Sequence, residues 1–406
     1  MKILYLSLIY PKDKNDSNLY KDLAKQFRDE KHEVTIVTLN EKHNKTIIKD
    51  EFKIEEGMKV LRVGCGNYFN ISNKEKIRTA LTLPLKLKKS IFKNLKSEKY
   101  DLIMYPSFPI NFRLEYLIKE LKKKYDAKSY YIHRDHFPYN ALDLGMIKKG
   151  IIFNYFKWEE KKLLQISDFI GCMSEENKKF ILRNNNIFEL DEKIHLLKNW
   201  GENIVDKDLK KESKINIREE LGYDKNDFIL VFGGNMGKPQ GLEMLQDVIK
   251  KLENESQIKF LFIGRGTEKD NFYKISKINK NIKVLDYIPR EKYLEILKNC
   301  NIGIVMLTKK FRVPNFPSKT TEYLKIGLPI LAAIDNITDY GKVLKNQMKA
   351  GDFVLHGDVE EYCKKILYYK NNLKELIAYS ENGKEYYLEN LQVKYASQII
   401  IEEINK

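Results

Sequence analysis

The sequence predicts an α/β protein made of two Rossmann-like, doubly wound lobes, and three observations predict it. Short β-rich runs alternate with segments of helical period from one end of the chain to the other, the sequence form of a parallel sheet covered by helices. The alternation stops in a polar, lysine-rich stretch from about Gly201 to Lys214, which reads as a hinge, and restarts at Phe228. The 406 residues exceed a usual domain of about 100–200 residues, so two lobes are expected, 1–200 and 215–381.

In the first lobe the β-rich runs place strands at Lys2–Leu8, Val34–Leu39, Val60–Val63, Leu102–Tyr105, Lys128–Ile132, Phe169–Met173 and Ile194–Leu197. Helical spacing places helices at Leu19–Asp29, Pro84–Lys96, Asn111–Lys124, Ile152–Gln165 and Glu175–Arg183. The second lobe repeats the unit, with strands at Phe228–Phe232, Lys259–Ile263, Ile282–Leu285, Ile302–Met306 and Ile330–Ala333. Between them Leu242, Leu245, Ile249 and Leu252 share one helical face. The segment Asn382–Lys406 is again helical in pattern and long enough to pack back across the first lobe.

Composition narrows the class. Apolar residues at 43% and aromatics at 12% exclude a disordered or fibrous chain. Lys and Arg number 73 against 57 acids, a net charge of +16, which suits a phosphate-rich, polyanionic or membrane-surface partner. No zinc finger, helix-turn-helix or stacking-aromatic RNA motif accompanies that charge, so nucleic acid is not expected. Four dispersed cysteines, Cys65, Cys172, Cys300 and Cys363, fit a reducing compartment and no zinc site. Apolar runs are strand-length, short of the ~18 residues a membrane span needs. Lys2 and its apolar stretch lead into Pro11-Lys12-Asp13-Lys14 without a cleavage site, so a cytoplasmic protein is expected.

Open α/β sheets bind ligands beyond the carboxyl ends of their strands, and four such places stand out. Gly233-Gly234-Asn235-Met236-Gly237-Lys238-Pro239-Gln240-Gly241 follows a strand and precedes a helical period. Its glycines let backbone N–H groups approach an anion and Lys238 adds charge, as a diphosphate site requires. A plain turn with a surface lysine is the alternative. Gly264-Arg265-Gly266 and Tyr287-Ile288-Pro289-Arg290 also follow strands. Either is equally readable as a turn, or as an approach for a ligand at Gly264 and for the edge of a base at Tyr287 and Ile288. In the fourth, Pro317-Ser318-Lys319-Thr320-Thr321-Glu322, Ser318 reads as a helix N-cap presenting the amides of Lys319, Thr320 and Thr321. Glu322, one turn in, can accept bonds from two adjacent hydroxyls, as on a ribose; taken alone, it reads equally as an acid that complements the helix dipole.

The combined motifs, Gly234-Asn235-Met236-Gly237-Lys238-x-Gln240-Gly241 and Pro317-Ser318-Lys319-x-x-Glu322-Tyr323 with Gly327-Leu328-Pro329, resemble retaining GT-B glycosyltransferases of family 4. The nearest branch is the fucosaminyltransferase-like one of bacterial surface-polysaccharide biosynthesis. In the first half Arg134-Asp135-x-x-Pro138, Ser167-Asp168-x-Ile170 with Ser174-Glu175-x-Asn177, and Lys193-Ile194-His195 with Asn199 are similar to the family in order. The resemblance implies a GT-B fold, two lobes facing a central cleft. It implies a nucleotide-sugar donor, UDP-linked, on the second lobe, and a polyprenyl-diphosphate-linked or glycan acceptor on the first. By position, Lys238, with amides near Gly234 and Asn235 and those of Ser318 to Thr321, would hold the leaving diphosphate. Glu322 would hold the ribose, and backbone at Tyr287 and Ile288 the base. No metal and no cofactor are expected.

The departures from the family pattern are specific. The first of its two paired glutamates is matched by Pro314, with Asn315 as a substitute; its loop arginine is matched by Asn235, and its loop lysine by Gln240. The first loop, residues 10–17, lacks glycine. His133-Arg134-Asp135 stands where the family has a histidine near the sugar, so Asp135 could orient an acceptor hydroxyl, or pair with Arg134 structurally. The segment Leu83–Lys96, with Pro84 placed to open a helix, is both apolar and basic. It reads as a solvated helix or as a face lying on anionic lipid at the inner side of the plasma membrane. A sugar-nucleotide epimerase of the same build and a catalytically silent nucleotide-sugar binder are the alternatives to transfer.

Overall fold

The computed structural model describes residues 1–13, 16–41, 49–68, 72–108, 110, 112–204 and 217–406. Within them the chain divides into two compact units, Met1–Lys198 with Val393–Lys406, and Asn199–Gln392. Most of the stretch expected as a hinge, from 205 to 214, lies outside the described residues.

The first unit is built on strands β1 (Lys2–Leu6), β2 (Glu33–Asn40), β3 (Glu51–Glu55), β4 (Met58–Gly64), β5 (Leu102–Pro106), β6 (Lys128–His133), β7 (Phe169–Cys172) and β8 (Ile194–Leu196). They lie in the order β3-β4-β2-β1-β5-β6-β7-β8, parallel except for β3, which runs antiparallel to β4 at the edge. Strands β1 and β5 are buried on both faces, as a sheet covered by helices on both sides demands. Helices Asn73–Asn94, Leu114–Tyr125 and Ile151–Ile166 pack side by side in that order, while helix Leu19–Asp29 packs with Val393–Asn405. Leu83, Leu87, Ile91, Leu117, Leu121, Leu163 and Leu164 fill the core beneath the first three.

The second unit carries β9 (Phe228–Asn235), β10 (Ile258–Arg265), β11 (Ile282–Leu285), β12 (Ile302–Met306), β13 (Ile330–Ile334) and β14 (Gly351–Leu355). The order is β11-β10-β9-β12-β13-β14, all parallel, the doubly wound arrangement whose strand direction of growth reverses between β9 and β12. Apolar clusters lie on both faces of this sheet.

Three expectations change. Pro84 does not open a helix but sits inside helix Asn73–Asn94, whose N-cap is Ser72, accepting from the Glu75 amide. Ser72-x-x-Glu75 is the capping pattern that starts the helix a dozen residues earlier, and a buried proline mid-helix forfeits one backbone bond. On that helix Lys88 turns inward, donating to Tyr116 Oη at 2.7 Å and Glu120 at 2.6 Å, so it is withdrawn from the basic face. The segment Asn382–Lys406 is not one helix. Its first part belongs to helix Leu373–Asn390 of the second unit, and only Val393–Asn405 joins the first.

The glycine-free first loop is held by two buried cations. Lys21 donates to the carbonyls of Asp13 and Asp16 at 2.6 and 3.0 Å and pairs with Glu56 at 3.1 Å. Arg62 donates to the Tyr10 carbonyl at 3.0 Å and pairs with Glu55 at 2.7 Å. Removing one partner of a buried pair strands the other charge. Lys21→Met is therefore expected to destabilise the first unit by about 2–4 kcal/mol, read from the shift in the urea midpoint. A loss below about 1 kcal/mol would remove Lys21 as the element that fixes this loop.

Candidate active site

In the second unit, β9 and β10 stay in register to their last residues, Gly264 beside Gly234 and Arg265 beside Asn235. A Cβ at Gly264 would stand 2.0 Å from the Gly234 carbonyl oxygen, so this glycine is required by the sheet itself. At Gly234, with φ of 105°, a Cβ would meet nothing within 4 Å, so the strand end opens into free space where backbone can approach a ligand. The Met236 amide donates to the Arg265 carbonyl at 2.8 Å and fixes the loop.

The chain then makes a short 3-10 turn, Lys238–Gln240, before helix Glu243–Lys251. The predicted direct step from loop to helix N-terminus is thus replaced by a turn that carries Lys238 on its exposed side, with no acid paired to it among the described residues. Gly241 closes the turn with φ of 60°. Above it the Nε2–H of His356 donates to its carbonyl at 2.7 Å, and a Cβ here would fall 2.8 Å from the Cα of Thr308. The Thr308 amide in turn donates to the Pro239 carbonyl at 3.2 Å. The loop after β12 and the turn after β9 are tied together where the strand order reverses.

Helix Lys319–Ile326 begins at that same edge. Ser318 is helical in backbone and makes no capping bond through its side chain. The Thr320 and Thr321 amides are directed to the carbonyls of Pro317 and Ser318 at 3.3 and 3.2 Å, and both side chains are buried. Of the expected anion-binding amides, those of Thr320 and Thr321 are therefore occupied within the first turn. The preceding proline lets this turn begin one residue earlier than a Ser318 cap would.

Lys319 is the most informative residue in this unit. Its Nζ donates to Gln240 Oε1 at 3.1 Å and stands 3.6 Å from the centroid of the Phe232 ring. Burial pushes its pKa from 10.5 down to about 7, and the neighbouring Glu322 opposes that fall only in part. Glu322 is half-exposed, with the Arg290 Nε 3.9 Å from its carboxylate. Arg290 also lies 3.8 Å from Glu202, to which Lys325 pairs at 2.6 Å. Tyr323 is buried, and its hydroxyl accepts from the Gly233 amide at 3.2 Å, steadying the end of β9. The Tyr287 ring is exposed and has the Arg265 guanidinium 5.7 Å from its centroid, a flat platform of the kind on which planar groups stack. Ile288, beside it, is half-buried. Asn315 folds its amide back onto the Val313 carbonyl at 3.2 Å.

In the first unit, His133, Arg134 and Asp135 lie at the carboxyl end of β6 as expected, but they divide. His133 is fully buried, 3.8 Å from Glu160, with its ring against Tyr131 and His136. Strand alternation puts Tyr131 and His133 on the same inward side. His136 is buried too, its Nε2 bonded to Asn177 Oδ1 at 3.0 Å, and burial lowers its pKa well below 6.5. Asp135 is exposed and forms no ion pair with Arg134. Desolvation raises its carboxyl above 3.8, opposed by Arg134 and then His133. The Arg134 amide donates to Ser107 Oγ at 3.2 Å, which joins the end of β6 to the loop after β5. The Asp168 carboxylate accepts from the Ser129 amide at 2.7 Å and pairs with Lys122 at 2.6 Å, a structural role at the opposite end of the strand.

Sequence reasoning passed over His356, and it quoted Tyr323 and Arg290 within motifs without giving either a role. The glycine at 241 signalled a close approach without naming its partner. Among the described residues no group of three His, Cys, Asp or Glu comes together as a metal site, and no helix is long and apolar enough to cross a membrane.

Residues 213–386 match the family model described as Glycosyl transferases group 1. The WcaI protein of Escherichia coli K12, named for colanic acid biosynthesis as a glycosyl transferase, is 24% identical over 160 residues, which cover 37% of this chain and 38% of that protein. The match thus spans well under half the length of the curated relative. Among solved structures, sucrose-phosphate synthase from Thermosynechococcus elongatus superposes with a TM-score of 0.74 at 12% identity, covering 100% of this chain and 98% of that one. HepE of Anabaena in complex with UDP and glucose gives 0.71 at 15% identity, covering 100% and 99%. The two α/β units and these superpositions establish a GT-B fold, within which residues 213–386 match the group 1 glycosyltransferase model.

Proposed function

We propose that the protein is a retaining glycosyltransferase that moves a sugar from a nucleotide donor to a lipid-linked or glycan acceptor in capsule- or O-antigen-type polysaccharide biosynthesis. The donor in this reading is a UDP-sugar such as a UDP-N-acetylhexosamine. The observation that carries it is the cluster at the reversal point of the second sheet. There the open strand end at Gly234, the exposed Lys238, the half-buried Lys319 and Glu322 lie at one edge, supported by the Lys319–Gln240 bond. A diphosphate there would meet two lysine ammonium groups and free backbone N–H groups, the preorganised positive charge that a departing pyrophosphate needs. Glu322 would accept from the ribose hydroxyls, with Arg290 orienting its carboxylate. The UDP choice is supported by HepE, whose structure holds UDP, and the polysaccharide setting by WcaI's name. In the first unit Asp135, exposed and unpaired, would orient the acceptor hydroxyl.

A thermal-shift series with UDP-, GDP-, ADP- and dTDP-sugars tests the donor. Only the UDP-sugars are expected to raise the melting temperature, by what about 2.7 kcal/mol of stabilisation at a hundredfold excess over Kd produces. Glu322→Ala is expected to weaken donor binding about 10- to 100-fold, and Lys238→Ala to lower turnover about 10²-fold or more. Conversion of the UDP-sugar without an acceptor would show an epimerase instead. Unchanged turnover in both variants would refute the site.

A second expectation follows from the Lys319 amine, whose free pKa is about 7. A bound diphosphate favours the charged form and raises that value, so binding takes up a proton above pH 7. Affinity for the nucleotide sugar should be greatest below pH 7 and fall as pH rises from 7 to 9, by at most about tenfold per unit. Lys319→Arg keeps its charge throughout and should flatten the profile in titration calorimetry. A wild-type profile that is already flat would exclude proton-linked binding at Lys319.

A further inference from the structure

Helix Ile151–Ile166 of the first unit presents an apolar face that is exposed among the described residues. Ile151 is 89% exposed, Ile152 62% and Trp158 49%, and Met146 in the preceding turn is 64% exposed. Ile151, Tyr155, Trp158 and Lys162 follow one another at i, i+4, i+7 and i+11, a single stripe along the helix. Isolated exposed apolar residues are ordinary, but two isoleucines, a methionine and a tryptophan in thirteen residues make a patch.

The charges around the patch select its occupant. Residues 144–165 contain five lysines, 148, 149, 157, 161 and 162, and two acids, Glu159 and Glu160. Both acids are 2% exposed and turned inward, whereas Lys148, Lys149 and Lys162 are exposed. The Lys162 ammonium lies 5.8 Å from the Trp158 ring centroid. The outward surface of this segment thus carries an apolar and aromatic stripe rimmed by lysines, with the half-buried Glu115 of the neighbouring helix near Lys162. An aromatic ring with a polar N–H suits the boundary between headgroups and acyl chains, and lysines suit anionic headgroups.

The neighbouring helices extend the same surface. Helix Ile151–Ile166 packs on Leu114–Tyr125, which packs on Asn73–Asn94. On the last, Ile77, Leu81 and Leu85 are exposed at four-residue intervals beside Arg78, Lys86 and Lys89. Helices Asn73–Asn94 and Ile151–Ile166 each lead from a strand to one parallel to it, so their first turns sit at the carboxyl edge of the sheet, the edge at which Asp135 lies.

We propose that Met146, Ile151, Ile152 and Trp158 form a bilayer-docking patch that inserts into the headgroup region of an anionic phospholipid membrane, with Lys148, Lys149 and Lys162 on the lipid phosphates. This deepens the reading of a lipid-linked acceptor, because it brings the edge carrying Asp135 to the membrane surface. The docking itself stands without that reading.

The chain has two tryptophans, and Trp200 is buried, so intrinsic fluorescence reports on Trp158. Vesicles of phosphatidylglycerol and phosphatidylcholine should blue-shift the emission, brominated acyl chains should quench it, and binding should be at least about tenfold weaker to phosphatidylcholine alone. The double variant Ile151→Glu, Ile152→Glu should abolish quenching. Acids in a first helical turn are well tolerated, so folding is preserved. Lys148→Glu with Lys149→Glu should weaken binding at least tenfold at low salt. No quenching of the wild type by the anionic vesicles, or undiminished binding of the Ile151→Glu, Ile152→Glu protein, would overturn the proposal. So would a dimer without lipid that this variant converts to monomer, since the patch would then meet a second copy. Melting shifts with UDP-sugars, run on the same proteins, should be equal in wild type and variant. Their absence in both would refute the donor reading and leave the docking result standing.

Discussion

A lysine amine held against a phenylalanine ring is the constraint on which the strand-end cluster of the second unit depends. Placing Lys319 Nζ 3.6 Å from the Phe232 centroid, bonded to Gln240 and with the Glu322 carboxylate in its neighbourhood, removes water that a free ammonium would keep. The fall in its pKa from 10.5 to about 7 corresponds to a cost of about 5 kcal/mol for keeping the charge there. An anion bound beside the amine would offset part of that cost. The surrounding bonds make sense in that light. Gln240 is fixed by the Lys238–Gln240 turn, the turn by Thr308 and His356, and Phe232 by the strand whose end Tyr323 steadies. Each support keeps the acceptors of Lys319 from relaxing toward water.

The first unit solves a related problem with buried cations and a buried polar cluster. Its first loop has no glycine to let the chain turn back on itself, and the carbonyls that consequently point inward are met by Lys21 and Arg62. At the end of β6, His133, Glu160, His136 and Asn177 stay beneath the surface. Buried polar side chains of this kind are costly unless matched, and what they secure is the position of the next two residues. Arg134 and Asp135 emerge from a strand end anchored below by this cluster and alongside by Ser107.

Much of the fold was legible because strand periodicity and helical spacing are local signals, and parallel strands buried on both faces read as apolar runs. Strand β3 escaped because both its faces are largely exposed and it pairs antiparallel at an edge. Strand β14 escaped because it opens on Gly351-Asp352, a pair that reads as a turn, and Gly351 is demanded by an approach to the Ile330 carbonyl that no local spacing reveals. The helix at Asn73 was hidden by Pro84, a reliable stop signal that fails where tertiary packing buries the proline. Site residues divide in the same way. Lys238, Glu322 and Asp135 could be named from their places after strands. That Lys319 leans on Gln240, 79 residues away, and that His356 holds Gly241 across 115 residues, could not be read, because such pairs exist only once the strand order is known. Ser318 looked like a cap because residue type suggests capping, whereas capping is decided by backbone angles.

One topological rule links the two units. In a parallel sheet with helical crossovers, every strand ends and the following helix begins at the same edge, so loops, helix N-termini and any side chains on first turns accumulate there. In the second unit that edge gathers the Gly234 strand end, the Lys238 turn and helix Lys319–Ile326. In the first it gathers Asp135 and the first turns of Asn73–Asn94 and Ile151–Ile166. The two edges differ in how they carry positive charge. Lys319 at the edge of the second unit is desolvated, so its charge would be fully expressed with an anion beside it. The lysines at the other edge stand in water around an apolar stripe, so they act at a distance and with sensitivity to salt. A net charge of +16 is therefore at least two separate features, one suited to a compact diphosphate and one to an extended anionic surface.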